Sequence, residues 1–168
     1  FQGATVIQPG QRTYARVVLR EPALVLPGDR FIIRMFSPVV TIGGGVVVDI
    51  GGVRYRKTDD VDARLDVLSG TDVAARVALL VKESRHGMSF ADLVSRTGLM
   101  ERDLETVARS PHFLYLEQPQ RWLVDRAWFD AMRRKLVDAV SQFHRKSPLL
   151  PGIAKQELRG RELVKVPA

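Results

Sequence analysis

Three consecutive glycines inside a β-branched run are the residues whose type and spacing come nearest to a binding chemistry. Gly43, Gly44 and Gly45 separate Val39–Ile42 from Val46–Val48. Glycine weakens a strand but lets a ligand or another backbone approach closely. The same pattern is typical of a β-bulge or a barrel corner. It is not a dinucleotide fingerprint, because that motif needs a spaced G-x-G-x-x-G leading into a helix, and these glycines lead into valines.

The residue types and their spacing do not indicate a catalytic site. His86, His112 and His144 are scattered and lack carboxylates or cysteines at metal-binding or acid–base spacing. The chain has no cysteine, which excludes disulfides and thiolate metal sites. It also has no G-x-x-x-x-G-K-[ST] loop that could hold a nucleoside triphosphate. We therefore expect no catalytic residue, no metal and no cofactor in this chain.

The residues around the glycines predict strands. Gly28–Asp29 is a predicted tight turn before a strand through Phe31–Ile33, and Arg34 closes that strand. Ser37–Pro38 breaks the pairing, because proline cannot donate to a ladder. Residues 4–56 alternate in the β manner, which predicts an all-β segment.

A polar run at 57–71 predicts a linker, and the periodicity then becomes helical. Asp72 is a candidate N-cap for a first helix, Ser89 for a second, and a third helix is predicted from about Glu101 to Arg109. Two short apolar runs then predict a hairpin, Phe113–Leu116 and Trp122–Val124. Three helices followed by a hairpin predict a winged helix at 72–127.

Residues 128–168 predict a linking helix and the start of another module. The helix runs from about Trp128 to Arg145, with Phe129, Met132, Leu136, Val140 and Phe143 at spacings of three and four. This apolar stripe is interpreted as core, with a partner groove as the alternative. Pro148–Pro151 ends the helix, and Ile153–Leu158 is predicted to form the next short one.

The chain is basic, with a formal net charge of +7 and a pI near 10.2, but the charge is uneven. Arg and Lys number seven against three Asp and Glu in residues 1–56, nine against twelve in 57–125, and ten against four in 126–168. The third helix of the winged helix carries three carboxylates, which phosphate would repel, so we do not expect it to read DNA.

A basic patch on the C-terminal part is a candidate surface for RNA or the ribosome. Its residues are Arg133, Arg134, Lys135, Arg145 and Lys146. Each phosphate contact would add salt dependence to binding. The alternative is an ordinary solvated helix face.

Composition sets further expectations. No run of 18 apolar residues or signal leader is present, so we expect no membrane contact, and the absence of cysteine fits a cytoplasmic protein. Residues 1–3 are interpreted as a tag remnant, with native sequence as the alternative.

The run R-M-F-S-P-V-V-T-I-G-G-G-V-V-V-D, preceded by L-P-G-D-R-F, resembles the end of the third domain of bacterial selenocysteine-specific translation elongation factors. More distantly, it is similar to the matching barrel domain of elongation factor Tu. The resemblance implies the C-terminal part of an antiparallel β-barrel at 4–56, followed by tandem winged helices, a β then α+β order. A partial barrel would have an unpaired edge that recruits a strand, so we expect a strand-edge dimer in crystals.

The resemblance also implies a function. The parent factor would carry selenocysteinyl-tRNA to the ribosome, with GTP and Mg²⁺ bound by an upstream domain and an mRNA hairpin bound by later winged helices. By analogy with elongation factor Tu, the residues near the tRNA backbone would be Arg34, Thr41, Gly43, Gly44 and Gly45. This chain departs from elongation factor Tu in two ways. The Arg34-to-Thr41 loop is two residues longer, and Val40 replaces the basic residue that precedes the threonine there. Rival interpretations are a protein-interaction scaffold and a winged-helix DNA-binding regulator.

Overall fold

The computed structural model describes residues 6–51, 60–84, 86–118 and 120–162. The predicted tag remnant at 1–3, the predicted end of the barrel segment and the first residues of the predicted linker lie outside these ranges. Along the described chain, an extended segment leads into a β-hairpin, which is followed by a helical module with a small sheet and by two further helices.

The first element pair is an antiparallel hairpin of β1 (Arg30–Met35) and β2 (Val40–Val46). Gly28 has a φ of 99°, so the predicted turn before β1 uses the conformation that glycine adopts without steric cost. The Ser37–Pro38 bond is cis and lies in the turn between the strands. The three glycines belong to β2 rather than separating two strands.

The predicted barrel is not found in the described residues. The hairpin forms a two-stranded sheet, and residues 11–29 contain no strand despite their alternating pattern. Alternation predicts which side chains would share a face of a strand, but a strand also needs a neighbouring backbone to pair with. Without such a partner, apolar side chains that a barrel would bury are exposed, including Val18, Ile32 and Ile42.

The helical module has the order of a winged helix. Its helices are α2 (Val73–Glu83), α3 (Phe90–Thr97) and α4 (Glu101–Ala108), and its strands are β3 (Met88–Ser89), β4 (Phe113–Leu116) and β5 (Trp122–Asp125). The sheet is antiparallel in the order β3-β5-β4, with Met88 opposite Leu123. The sequence predicted the three helices and the β4–β5 hairpin, whereas β3 was not predicted.

The helix starts confirm the predicted caps. Asp72 accepts a hydrogen bond from the Ala75 N–H at 3.0 Å, and Ser89 accepts one from the Asp92 N–H at 3.0 Å. Gly98 ends α3 in the left-handed conformation, with a φ of 68°. These local signals fix the start of α2 and both ends of α3, whereas α4 begins at Met100 without a side-chain cap.

The core lies inside this module. Its fully buried side chains come from all three helices and from β5: Val77, Leu80, Val81, Phe90, Leu93, Leu104 and Leu123. The ring of Tyr115 on β4 packs against Phe90 at 5.1 Å between centroids. The wing hairpin therefore closes the core and is not an appendage.

The linker prediction is wrong for most of 57–71. Residues Val61–Ser69 form a helix, α1, capped by Asp60, and Leu68 is 4% exposed within the core. The five Asp residues at 59–72 made the run look unstructured, but two of them cap helices. This helix is stabilised by two buried apolar side chains, Val61 and Leu68, and by the ion pair of Arg64 with Glu83 of α2.

The last two helices are α5 (Arg126–Lys146) and α6 (Lys155–Glu162). The predicted apolar stripe on α5 exists, but its interpretation as core is wrong, because no residue of α5 is buried. Its members are half-buried: Phe129, Met132, Leu136, Val140 and Phe143. The helix lies against β4 and β5 at its start and contacts α6, so its neighbours cover the stripe only in part.

Candidate functional site

The hairpin brings all five predicted tRNA-contacting residues together. Arg34 of β1 lies directly opposite Thr41 of β2, and the three glycines pair with Ile33, Ile32 and Phe31 in turn. Between these pairs the register shifts, because Ile42 is an extra residue on β2. The β-bulge that the sequence allowed as an alternative is therefore present beside the glycines.

The register sorts these residues onto two faces. Directly paired residues share a face, and successive residues alternate. One face, which we call the arginine face, carries Arg30, Arg34, Thr41 and Gly44, together with Ile32 and Val46. Gly43 and Gly45 lie on the other face with Phe31 and Ile33. The five predicted residues thus do not form one surface.

Arg30 is a candidate that the sequence reasoning missed. It lies four residues before Arg34 on the same strand, so both guanidinium groups are on the arginine face, and both residues are exposed. Alternation from Arg34 was a signal that could have identified it. Two arginines and a threonine hydroxyl on one exposed face supply donors for phosphate oxygens.

Two of the three glycines lie close to Phe31 of the opposite strand. A Cβ on Gly44 would lie 2.5 Å from the Phe31 carbonyl oxygen, and one on Gly45 would lie 2.7 Å from the Phe31 ring. A Cβ on Gly43 would meet no atom within 4 Å. Close approach of the paired backbone therefore accounts for Gly44, whereas a side chain at position 45 would require the Phe31 ring to move. Only Gly43 leaves space open to a ligand.

The predicted basic patch on α5 is two separated stripes. Arg134 and Arg145 are eleven residues apart, which places them on one side of the helix about 16 Å apart along its axis. Lys135 and Lys146 have the same spacing on a neighbouring side. Asp138 lies between the two ends, and all of these residues, with Arg133, are exposed. The patch is therefore long and interrupted by a carboxylate.

The acidic third helix of the winged helix is partly neutralised by the wing. Arg121 donates to the Glu101 carboxylate at 2.5 Å and to the Glu105 carboxylate at 3.1 Å. Its guanidinium also lies over the Phe90 ring at 5.1 Å from the centroid. The hydrogen bond to Glu101 raises the pKa of Arg121 above its ordinary value. These contacts pair Arg121 with two of the three carboxylates of α4, so its charge is balanced within the module.

A buried ion cluster joins the exit of the hairpin to the helical module. Asp49, three residues after β2, contacts Arg64 of α1 at 2.9 Å and Arg96 of α3 at 3.1 Å. Arg64 also makes a two-pronged contact with Glu83 of α2, at 2.5 and 2.9 Å. We call these four residues the junction cluster. The side chains of Asp49 and Arg64 are only 6% and 9% exposed.

The charge state of this cluster follows from its partners. Burial lowers the pKa of Arg64, but the hydrogen bonds to Glu83 and Asp49 outweigh it and raise that pKa above its ordinary value. Arg64 is therefore fully charged. Sequence reasoning missed the cluster, because its members are spread along the chain without a recognisable spacing.

The histidines do not form a site. The His86 carbonyl accepts a hydrogen bond from Trp122 Nε1 at 2.9 Å, and its ring packs edge-on against Trp128. Among the described residues, no group of three or more His, Asp or Glu side chains is placed to hold a metal ion. Within the same residues, no helix is both long and apolar enough to cross a membrane.

Fold and charge together define a winged-helix protein whose module is preceded by an arginine-bearing hairpin. Comparison with known proteins then shows what the chain is similar to. Residues 137–168 match the family described as "Elongation factor SelB, winged helix". The selenocysteine-specific elongation factor of Desulfomicrobium baculatum is 23% identical over 157 residues, which cover 90% of this chain and 25% of that protein.

These findings confirm the resemblance that the hairpin sequence carries: the chain is similar to selenocysteine-specific elongation factors. It spans about a quarter of the length of the relative that it matches. The match to the relative extends over the hairpin, the helical module and α5. The assignments of Arg34, Thr41 and the glycines to tRNA binding, and of the α5 cations to RNA or ribosome contact, stay predictions.

Proposed function

We propose that this chain is the part of a selenocysteine-specific elongation factor that contacts the backbone of selenocysteinyl-tRNA through the arginine face of its hairpin. The parent protein would deliver that tRNA to the ribosome for selenocysteine incorporation. The observation that supports this most is the pairing of Arg34 with Thr41 on an exposed face that also carries Arg30. Positive charge and a hydroxyl together are suited to phosphate and ribose rather than to bases.

The winged helix has a different role in this proposal. Its α4 presents Glu101 and Asp103 to solvent, and Arg121 is occupied by Glu101 and Glu105. Phosphate would be repelled from such a helix, which argues against a DNA-binding regulator. We propose that the module is a spacer between the tRNA-binding hairpin and an mRNA-hairpin-binding module outside this chain. GTP hydrolysis, with its Mg²⁺, would belong to another domain of the parent protein.

The α5 cations are a second proposed contact. Arg134 with Arg145, and Lys135 with Lys146, form two exposed stripes that RNA phosphates of the tRNA or the ribosome could follow. Asp138 makes this surface less favourable than the arginine face. A scaffold that binds protein remains a second candidate function, favoured by the exposed apolar side chains of the hairpin, such as Ile32 and Phe36.

A salt-titrated binding assay tests the proposal. Selenocysteine tRNA, an mRNA hairpin and random duplex DNA are compared with the parent chain, with Arg34→Gln and with the matched control Arg109→Gln, an exposed arginine on the helical module. We expect a preference for tRNA. Arg34→Gln should weaken it and lower the salt slope by roughly one for the lost phosphate contact.

The control separates a specific contact from bulk charge. Both substitutions remove one positive charge, so a purely electrostatic surface would respond to them alike. Equal weak binding to all three nucleic acids, or equal losses in Arg34→Gln and Arg109→Gln, would contradict the assignment of tRNA binding to the hairpin. In that case the scaffold role would be the better interpretation.

A further inference from the structure

The hairpin base and the segment before it contact the helical module at several places, including Val48, which packs against the core. Asp49 enters the junction cluster, the Pro27 carbonyl lies where a Cβ on Gly98 would be, and the Tyr14 hydroxyl donates to Asp66 at 2.7 Å. Gly98 has a positive φ, so its lack of a side chain serves both the helix end and this contact. Residues on both sides of the hairpin thus touch the module.

The two sides of the hairpin base are tied to each other. The Gly28 N–H donates to the Val47 carbonyl at 2.8 Å, and the Val47 N–H donates to the Asp29 carbonyl at 2.8 Å. Pro27 precedes this closure by one residue and Asp49 follows it by two. Any movement of the hairpin relative to the module would therefore displace Asp49.

Electrostatics make that displacement costly. In the docked arrangement the junction cluster holds two guanidinium groups and two carboxylates, so its formal charges cancel. If Asp49 leaves, Glu83 still pairs with Arg64, but Arg96 loses its carboxylate partner while its side chain is only 22% exposed, so one positive charge is uncompensated. Removing one member of a buried ion pair is strongly destabilising, because the remaining charge keeps its desolvation penalty. The cluster therefore favours one orientation of the hairpin.

We infer that Asp49 is a positioning residue, which fixes the direction of the arginine face relative to the winged helix and α5. A bound tRNA backbone and the modules beyond α5 would then be held at a set angle. This functional consequence rests on the proposed function, whereas the positioning itself depends only on the contacts of Asp49 with Arg64 and Arg96.

Glu83 provides a matched control. Like Asp49, it is a carboxylate that binds Arg64, but it lies on α2, so its contact with α1 stays within the helical module. Asp49→Asn and Glu83→Gln each remove one negative charge with little change of shape. Only the first removes a charge that joins the hairpin to the module.

The test measures a distance between the hairpin and the module. The chain has no cysteine, so spin labels can be placed uniquely at Phe36→Cys, in the exposed hairpin turn, and at Arg109→Cys, after α4. Pulsed electron resonance then gives the distribution of label distances. We expect one narrow distribution of label distances in the parent chain and in Glu83→Gln. In Asp49→Asn we expect a broad distribution instead. Conservative Asp49→Glu should restore a narrower distribution.

Two results would overturn the inference: a broad distribution in the parent chain, or a distribution in Asp49→Asn that matches the parent. Circular dichroism checks that the helices persist. If Asp49→Asn does not fold, the label distances in Arg96→Gln test the inference instead. This substitution breaks one of the two contacts of Asp49 and leaves Arg64 paired. Broadening supports the inference, and an unchanged distribution refutes it. The distance is measured without tRNA. If Asp49→Asn broadens the distribution but the chain does not bind tRNA, only the proposed function is refuted.

Discussion

Gly44 is the position where the hairpin should respond most sharply to a single methyl group. In Gly44→Ala the new Cβ would lie 2.5 Å from the Phe31 carbonyl oxygen, an atom of the paired backbone that cannot rotate away. The strands must separate locally to relieve the contact. Overpacking of this kind costs roughly 1–3 kcal/mol. A two-stranded hairpin is only marginally stable by itself, so we expect a large part of the pairing to be lost.

Gly43→Ala is the matched control for that substitution. It adds the same methyl group one residue earlier, where no atom lies within 4 Å. Alanine also fits a strand somewhat better than glycine, so we expect an unchanged or slightly more stable hairpin. The contrast between the two variants therefore isolates the close approach of Phe31 from the general effect of replacing glycine.

Amide hydrogen exchange across β1 is the measurement. Protection should fall in Gly44→Ala and persist in Gly43→Ala, while protection of α2 and α3 stays unchanged in both. If the arginine face binds tRNA, its affinity should fall in parallel with the lost protection in Gly44→Ala. Equal protection of β1 in the two variants would refute the steric reasoning, because only a Cβ on Gly44 would meet the paired backbone.

Two further predictions concern the helical module. Leu104→Ala removes a fully buried side chain and should lower the free energy of unfolding by about 2–5 kcal/mol. Leu149→Ala changes a residue that is 97% exposed and should leave the midpoint of urea unfolding unchanged. Similar midpoints in the two variants would contradict the assigned core. The hydrogen bond to Asp66 raises the pKa of Tyr14 above 10.0, so this contact should stabilise the fold below about pH 10 and be lost as the pH rises through the raised value. A spectrophotometric titration, compared with Tyr14→Phe, should show the raised pKa, and Asp66→Asn should lower it; an unchanged titration in Asp66→Asn would argue against the bond.

Sequence patterns predicted the winged helix well because its signals are local. Asp72 and Ser89 are caps within three residues of the N–H groups they bind, and Gly98 ends its helix through its own backbone conformation. Such features need no knowledge of the rest of the chain. In contrast, β3 has only two residues and exists because Leu123, more than thirty residues later, offers a pairing edge.

The site was predicted less completely for the same reason. The resemblance placed Arg34, Thr41 and the glycines in one stretch, but only the register shows that Gly43 and Gly45 lie on the face opposite to Arg34. The bulge at Ile42 shifts the register, and its position could not be fixed from the valine run. The contacts of Asp49 with Arg64 and Arg96 depend on how the hairpin lies against the module, which no local pattern records.

The net charge of the chain does not show where on its surface nucleic acid can bind. Three arginines of the helical module are paired internally: Arg64 and Arg96 with Asp49, and Arg121 with Glu101 and Glu105. Their charges cancel within the fold and add little to the field outside it. The positive charge left to attract phosphate then lies mainly in the hairpin with the segment before it, and in α5 with α6, which precede and follow the acidic module along the chain. Electrostatic attraction would draw an RNA toward these two regions separately, so the angle between them, which we assign to Asp49, decides whether one RNA can contact both.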